Sequence, residues 1–325
     1  MFKTLVATMA LAVGAATLVG AARAEAPYPS KPIRLVVPFA PGGSSDILAR
    51  LLADRLKSEL GQVVVVENKP GAGGNIAGES VARAAPDGHT LLLAAAGPTV
   101  INPSLYSKMP FDPARDLAPI TVLAREHNLM AVKTQLPVRN LSEFLAYARS
   151  HPGKLSFGSP GNGTVAHLGG ELLNRTAGLK MQHVPYKGSG PAVADLMAGH
   201  IDLMIDNMPA LLAQVQGGKL RPIAVASDKR AAALPDVPTF DEAGVKGYLV
   251  TAWKGLMAPA GTPKPVITKL HEACARILAT PEMRKRVIEL GAEPVGNSPE
   301  AFAAQIRSET AWWAAQVKAT GTRLD

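Results

Sequence analysis

The chain is poor in cysteine, in aromatic residues and in charge. Cys274 is the only cysteine among 325 residues, so no intramolecular disulfide can form in any redox compartment. It lies on the stripe Val266, Ile267, Leu270, Cys274, Ile277 and Leu278, whose helical spacing predicts a buried small hydrophobe rather than a nucleophile. Aromatic residues are 5% and charged residues 18%, too few for the stacked rings and basic tracts of a nucleic-acid surface. The formal charge of +8 comes from scattered lysines and arginines. The one cluster, Arg284-Lys285-Arg286, falls in a predicted helix and reads as a solvated face, so no nucleic-acid partner is expected. After residue 24 no apolar run is long enough to cross a membrane. What is abundant is apolar residue, 47%, with a mean hydropathy of +0.11, the composition of a globular core.

The first residues have the grammar of a secretory leader. Lys3 gives a positive start, residues 4–22 carry no charge, and Ala22-Arg23-Ala24 supplies a small-x-small cleavage pattern. A signal peptide over 1–24 is expected, with Glu25 opening the mature chain and periplasmic localisation following. Nineteen uncharged residues could nearly span a bilayer, but they are mostly Ala, Gly and Thr, and the cleavage pattern favours removal over anchoring. Without Lys3 and Arg23 the chain keeps 32 basic against 26 acidic residues, a net +6 that draws anions toward it.

Beyond the leader, short β-branched runs alternate with helical patterns. Strands are predicted at 33–37, 63–66, 90–94, 120–123, 129–132, 155–157, 181–184, 201–205 and 221–225. Helices are predicted at 47–60, 141–150, 165–178 and 191–199, which gives an α/β architecture with mostly parallel sheets. The chain ends in three successive helices at 263–279, 281–290 and 299–320, each opened by a proline, which fits the first helical turn. Such a tail must pack back on an earlier lobe. Lobe 1 is therefore expected to be discontinuous, 25–125 plus 250–325, with lobe 2 at 126–249 and chain crossings near 125–128 and 248–253.

Four loops at predicted strand ends carry the chemistry. Pro38-Phe39-Ala40-Pro41-Gly42-Gly43-Ser44-Ser45-Asp46 leads into the first helix, whose free N–H groups and partial positive charge suit an anion. An ordinary strand-to-helix turn capped by Ser44 or Ser45 is the plainer alternative. Similar loops occur at 158–164, at 184–190 and at 206–209. In open parallel sheets such loops converge on one crevice, so together they predict a pocket lined by backbone amides and hydroxyls. None contains arginine, and Lys187 is their only basic residue.

Enzyme signatures fail one by one. Pro70-Gly71-Ala72-Gly73-Gly74-Asn75-Ile76 has Ile76 where a dinucleotide fingerprint needs glycine, and no phosphate-loop lysine follows. Gly188-Ser189-Gly190 has Lys187 where a nucleophile elbow needs its first glycine. His167 and Glu171 share a helix face but lack further metal ligands, so an ordinary helix pair or a hydrogen bond at the pocket edge is the better reading. Asp206 has no partner at the spacing of a general base and reads as a pocket acceptor or a structural cap. Trp312-Trp313 point about 100° apart on a helix, which favours packing over a binding platform. No enzyme activity, cofactor or metal is expected.

Several long motifs resemble one family. They are YPSKPIR at 28–34, PFAPGGSSD at 38–46, VVVVENKPGAGGNIAGE at 63–79 and PDGHTLLLA at 86–94. NPSLY at 102–106, GNGTVAHL at 161–168, VPYKGSGPAVADLMAGHIDLMIDN at 184–207 and GKLRPIAVAS at 218–227 follow. In order along the mature chain, these resemble the Bug-type periplasmic receptors of tripartite tricarboxylate transporters. The resemblance implies a two-lobed fold like the type II periplasmic binding proteins, with the helical tail on the first lobe, no cofactor and no catalysis. It further implies a monomer that captures a small carboxylate (a di- or tricarboxylate, an aromatic acid or an amino acid) for membrane transport subunits or a sensor. Carried over by position, the first lobe offers Phe39, Ala40, Gly43, Ser44 and Thr99. The second offers Ser159, Asn162, Gly163, Thr164, His167, Gly190, Asp206 and Asn207. Glu126-His127-Asn128 is more polar than the family pattern at the first crossing. An exported hydrolase using a Gly-rich elbow, and an interaction module with a vestigial pocket, are the competing readings.

Overall fold

β1 (Ile33–Val37) buries four of its five residues because parallel neighbours and helices cover both its faces. β2 (Val64–Asn68) and β3 (Thr90–Ala95) flank it in parallel register. The connecting helices are α1 (Ser44–Leu60) and α2 (Asn75–Ala82). The computed structural model describes residues 28–320, and the expected leader at 1–24 lies outside them. After β3 a turn at Gly97–Ile101 runs into α3 (Asn102–Leu105), then α4 (Pro113–Asp116).

One strand joins the two halves of the molecule. β4 (Leu117–Lys133) is a continuous 17-residue strand, where two separate runs at 120–123 and 129–132 are predicted. Its first part, through His127, pairs antiparallel with β9 (Thr251–Pro259). From Asn128 onward it pairs instead with β7 (Leu203–Asn207) and β8 (Leu220–Ala226), also antiparallel. β10 (Ala292–Pro294) adds to the first part at Ala124–Glu126. β5 (Ser156–Ser159) and β6 (Gln182–Pro185) extend the second half in parallel. The strand path is β2-β1-β3-β9-β4-β7-β5-β6, with parallel wings around an antiparallel centre. The largely parallel pattern expected from sequence is thus confined to the wings, because β9 returns against β4.

Helices α5 (Leu141–Ser150), α6 (Val165–Ala177), α7 (Ser189–Ala198) and α8 (Met208–Gln216) cover the second half. The tail consists of α9 (Lys264–Ala279), α10 (Pro281–Glu289) and α11 (Pro299–Thr320), and it packs on the first half. The stripe of α9 holding Leu270, Cys274 and Ile277 meets Leu48, Leu52 and Leu56 of α1 beneath Ile33, Leu35 and Val37. Burial pushes the Cys274 thiol up to about 12, so it stays protonated and inert. Phe302 of α11 is wholly buried where Gly255 lies on β9, since a Cβ there would meet its ring at 2.5 Å. Trp253 packs edge-on against Phe302 at 5.1 Å, whereas Trp312 is 54% exposed. Among the described residues no helix is long and apolar enough to cross a membrane.

Candidate functional site

The place where β4 changes partners is also where helix starts gather. α1, α7 and α8 begin at Gly43, Gly188 and Asn207, and none of these N-caps supplies a side-chain hydrogen bond. By contrast α5 and α10, away from the cleft, are capped by Asn140 and Thr280. Uncapped first-turn N–H groups carry unsatisfied donor capacity and partial positive charge. α6 joins them with Thr164 as cap, its hydroxyl accepting from His167 N–H at 3.3 Å. In the first turn of α1, Asp46 is paired with Arg50 at 2.9 Å, which neutralises an acid that would otherwise repel an anion there.

These starts enclose a small cleft pocket of about 30 Å³, room for about two waters in the closed arrangement. Its walls include Phe39, Gly43, Ser44, Thr164, Asp206 and Asn207 from the predicted set. Loops from the two halves touch across it. Ala40 N–H donates to the Lys187 carbonyl at 2.9 Å, and Asn207 Nδ2 donates to Ser44 Oγ at 3.3 Å. Gly190 packs on Pro41 so closely that a Cβ would collide with the Pro41 carbonyl. Gly43 faces Ser189 in the same way, with its added Cβ 3.1 Å from the serine Cβ.

Other predicted residues stand behind the walls rather than on them. Ser159 is wholly buried, with its hydroxyl 2.7 Å from His183 Nε2 and 3.2 Å from the Gly161 carbonyl. His167 Nδ1 accepts from Gly163 N–H at 3.2 Å, which leaves the neutral ring's proton on Nε2. The His167 and His183 rings stack at 4.1 Å. Burial pushes His167 down to about 4, and burial plus its neighbour pushes His183 down to about 3. Both are neutral at pH 7. Thr99 is buried in the turn after β3, and Asn162 lies against Gly73 with its carbonyl where a Cβ would sit. These residues shape the loops, and Ala40 and Gly190 hold the two halves together.

Sequence reading missed the floor. Lys254 on β9 lines the pocket while only 2% exposed, and its Nζ lies 2.9 Å from Glu126 Oε2 on β4, itself 1% exposed. The expectation that Lys187 is the only basic group near the ligand therefore fails, because β9 was not recognised as part of the site. A lysine inside the apolar run of β9 and a glutamate inside that of β4 were the available signal: two lone charges in buried strands imply a pair. The unexpected polarity of Glu126-His127-Asn128 has the same explanation. Ser189 also lines the pocket, although it entered the sequence argument only as a discarded nucleophile. Asp206 is wholly buried, and desolvation raises its carboxyl to about 6. The Ser189 hydroxyl, Asn207 N–H and Lys254 pull it part of the way back, and Glu126 pushes it up again.

A larger hollow of about 1110 Å³ opens between α6 and α11, sharing only Ala96 and Ala252 with the cleft pocket. No predicted site residue lines it, and its acids and bases largely pair with each other, as Glu293 does with His127 and Lys229. The chemistry lies in the smaller cleft.

Two sheets sharing a strand, with amide-rich helix starts facing across the junction, define a periplasmic binding protein fold. Solved structures agree. The Rhodopseudomonas palustris protein Rpa4515 with adipate superposes with a TM-score of 0.89 at 39% identity, covering 91% of this chain and all of that one. MatC from the same species, with bound malate, gives 0.84 at 37% identity, covering 89% and 99%. The protein BugT of Bordetella pertussis is 37% identical over 298 residues, 91% of each chain. The model of the tripartite tricarboxylate transporter family receptor matches residues 48–322. The chain belongs to that receptor family, a family of solute-binding proteins.

Proposed function

We propose that this protein is an exported receptor that captures a small carboxylate between two lobes, 25–125 plus 250–325 and 126–249, and delivers it to the membrane subunits of a tripartite tricarboxylate transporter. The observation that carries this reading is the convergence of the uncapped starts of α1, α7 and α8 on one pocket. Donors fixed by helices hold a carboxylate without an arginine, and bridging waters adapt the remaining space to its tail. Phe39, Gly43, Ser44, Thr164, Asp206 and Asn207 are the direct contacts in this account. Ser159, His167, Gly163, Thr99 and Asn162 fix their positions, and Ala40 and Gly190 make the contact between lobes. The adipate and malate complexes of its relatives support the ligand class. Lys3, the uncharged residues after it and Ala22-Arg23-Ala24 support export.

Closure follows from differential contact. A ligand shifts the lobes together only because both sets of amides reach it in the closed form. Native mass spectrometry of protein purified with its endogenous ligand tests the reading. A bound mass matching a small organic acid, released on unfolding, is the expected result. A protein that carries no such mass, and whose melting temperature no organic acid raises, would overturn it.

A further inference from the structure

The pocket is chemically lopsided. One side is all donor: the first-turn amides of α1 and α7 and the hydroxyls of Ser44 and Ser189. The floor is acceptor. Asp206 Oδ1 takes the Asn207 N–H at 2.7 Å, but Oδ2 is buried with no hydrogen bond of acceptable geometry. Asn207 Oδ1, beside it on the pocket wall, is also buried and unpartnered. Asn128 stands directly across the β4–β7 ladder from Asn207, wholly buried, with neither side-chain atom bonded. Buried polar atoms without partners are rare in folded proteins, and three such residues together need an external partner.

Lys254 does not fill that need. Its Nζ is held by Glu126 at 2.9 Å, so the one buried cation of the floor is already neutralised. Asp206 is left as an acid without a cation of its own. A bare carboxylate tail pushed against this floor would meet acceptors and a like charge, whereas an N–H or O–H group would meet the partners it lacks.

We propose that the floor makes this receptor selective for a short carboxylic acid bearing an ammonium or hydroxyl donor on its chain, with Asp206 receiving that donor while Glu126 withholds Lys254 from the ligand. The inference rests on the carboxylate reading above and adds the polarity of the ligand's other end. The carboxylate faces the helix starts and the donor points down to Asp206 and Asn207. Asp206 acts as the specificity residue, since its carboxylate is an acceptor whichever way the neighbouring amides are turned.

The test is calorimetry on refolded, ligand-free protein with two matched series: propionate, lactate and alanine, then succinate, malate and aspartate. In at least one series the donor-bearing acids should bind about tenfold or more tighter than the bare acid, the worth of one hydrogen bond to a charged group. Asp206→Asn, close to isosteric, should bring that series to within about threefold, chiefly by tightening the bare acid. Propionate or succinate binding as tightly as its substituted partners would overturn the proposal while leaving the carboxylate reading intact. A preference for donors that survives in Asp206→Asn would overturn the role of Asp206. Binding of none of the six would sink the carboxylate reading, and this proposal with it.

Discussion

Lys254 Nζ lies 2.9 Å from Glu126 Oε2 on neighbouring antiparallel strands, with both side chains out of water where the chain crosses between sheets. Removing one partner strands the other as an uncompensated buried charge. Glu126→Gln or Lys254→Met alone should therefore cost about 3–5 kcal/mol in urea unfolding, whereas the double change should recover most of that loss. Additive losses would show that the two charges do not see each other.

Asp206 gives a pH signature of definite sign. Burial raises its folded pKa to about 6 from the ordinary 3.8, so between those values the folded state holds the proton that the unfolded state has released. Stability from this group is present below about pH 4 and is lost as pH rises through about 6. Asp206→Asn should thus match the wild type near pH 3.5 and exceed it at pH 7 by up to about 3 kcal/mol, measured by denaturant titration at each pH. The charges facing the group are Lys254 and Glu126, and neither variant form alters them.

The stacked His167 and His183 work in the opposite direction. Their folded pKa values, about 4 and about 3, lie below the ordinary 6.5, so the folded state refuses protons that the unfolded chain accepts. The stability they confer is full above pH 6.5 and drains away as pH falls toward 4. NMR titration of the imidazole carbons should show both rings neutral at pH 5.5. Midpoints near 6.5 would mean that the rings are not buried against each other.

Gly190 marks the contact between the loops. A methyl group there would strike the Pro41 carbonyl, which is backbone and cannot rotate away. Gly190→Ala should keep the melting temperature of the ligand-free protein within a few degrees and weaken ligand binding about tenfold or more, because the loops cannot approach fully. Unchanged affinity would place the closing contact elsewhere.

Much of this was readable in the residues. The helices at Leu141–Ser150 and Pro299–Thr320 fall on their predicted bounds, because amphipathic spacing and clear start signals agree there. β4 was read as two strands because Arg125-Glu126-His127-Asn128 looks like a polar loop; only the long-range partner Lys254 lets Glu126 stay in a buried strand. β9 was missed for a related reason, since its lysine and glycine break the strand pattern until Glu126 and Phe302 are placed beside them. The first turn of α1 begins at Ser44 with Gly43 as its N-cap, so neither serine caps the helix as the plainer reading expected. Loop motifs announced the donor side of the pocket, while its floor depends on pairing across more than a hundred residues and left no local trace.

The most direct measurement is calorimetric titration of ligand-free protein with malate and aspartate, run beside Gly43→Val. Gly43 has an extended backbone that valine tolerates, but the added side chain would occupy the space against Ser189 where the α1 amides meet the ligand. The account predicts saturable one-to-one binding of at least one of these acids to the wild type, and none to a folded Gly43→Val. Binding that survives the valine undiminished would contradict it.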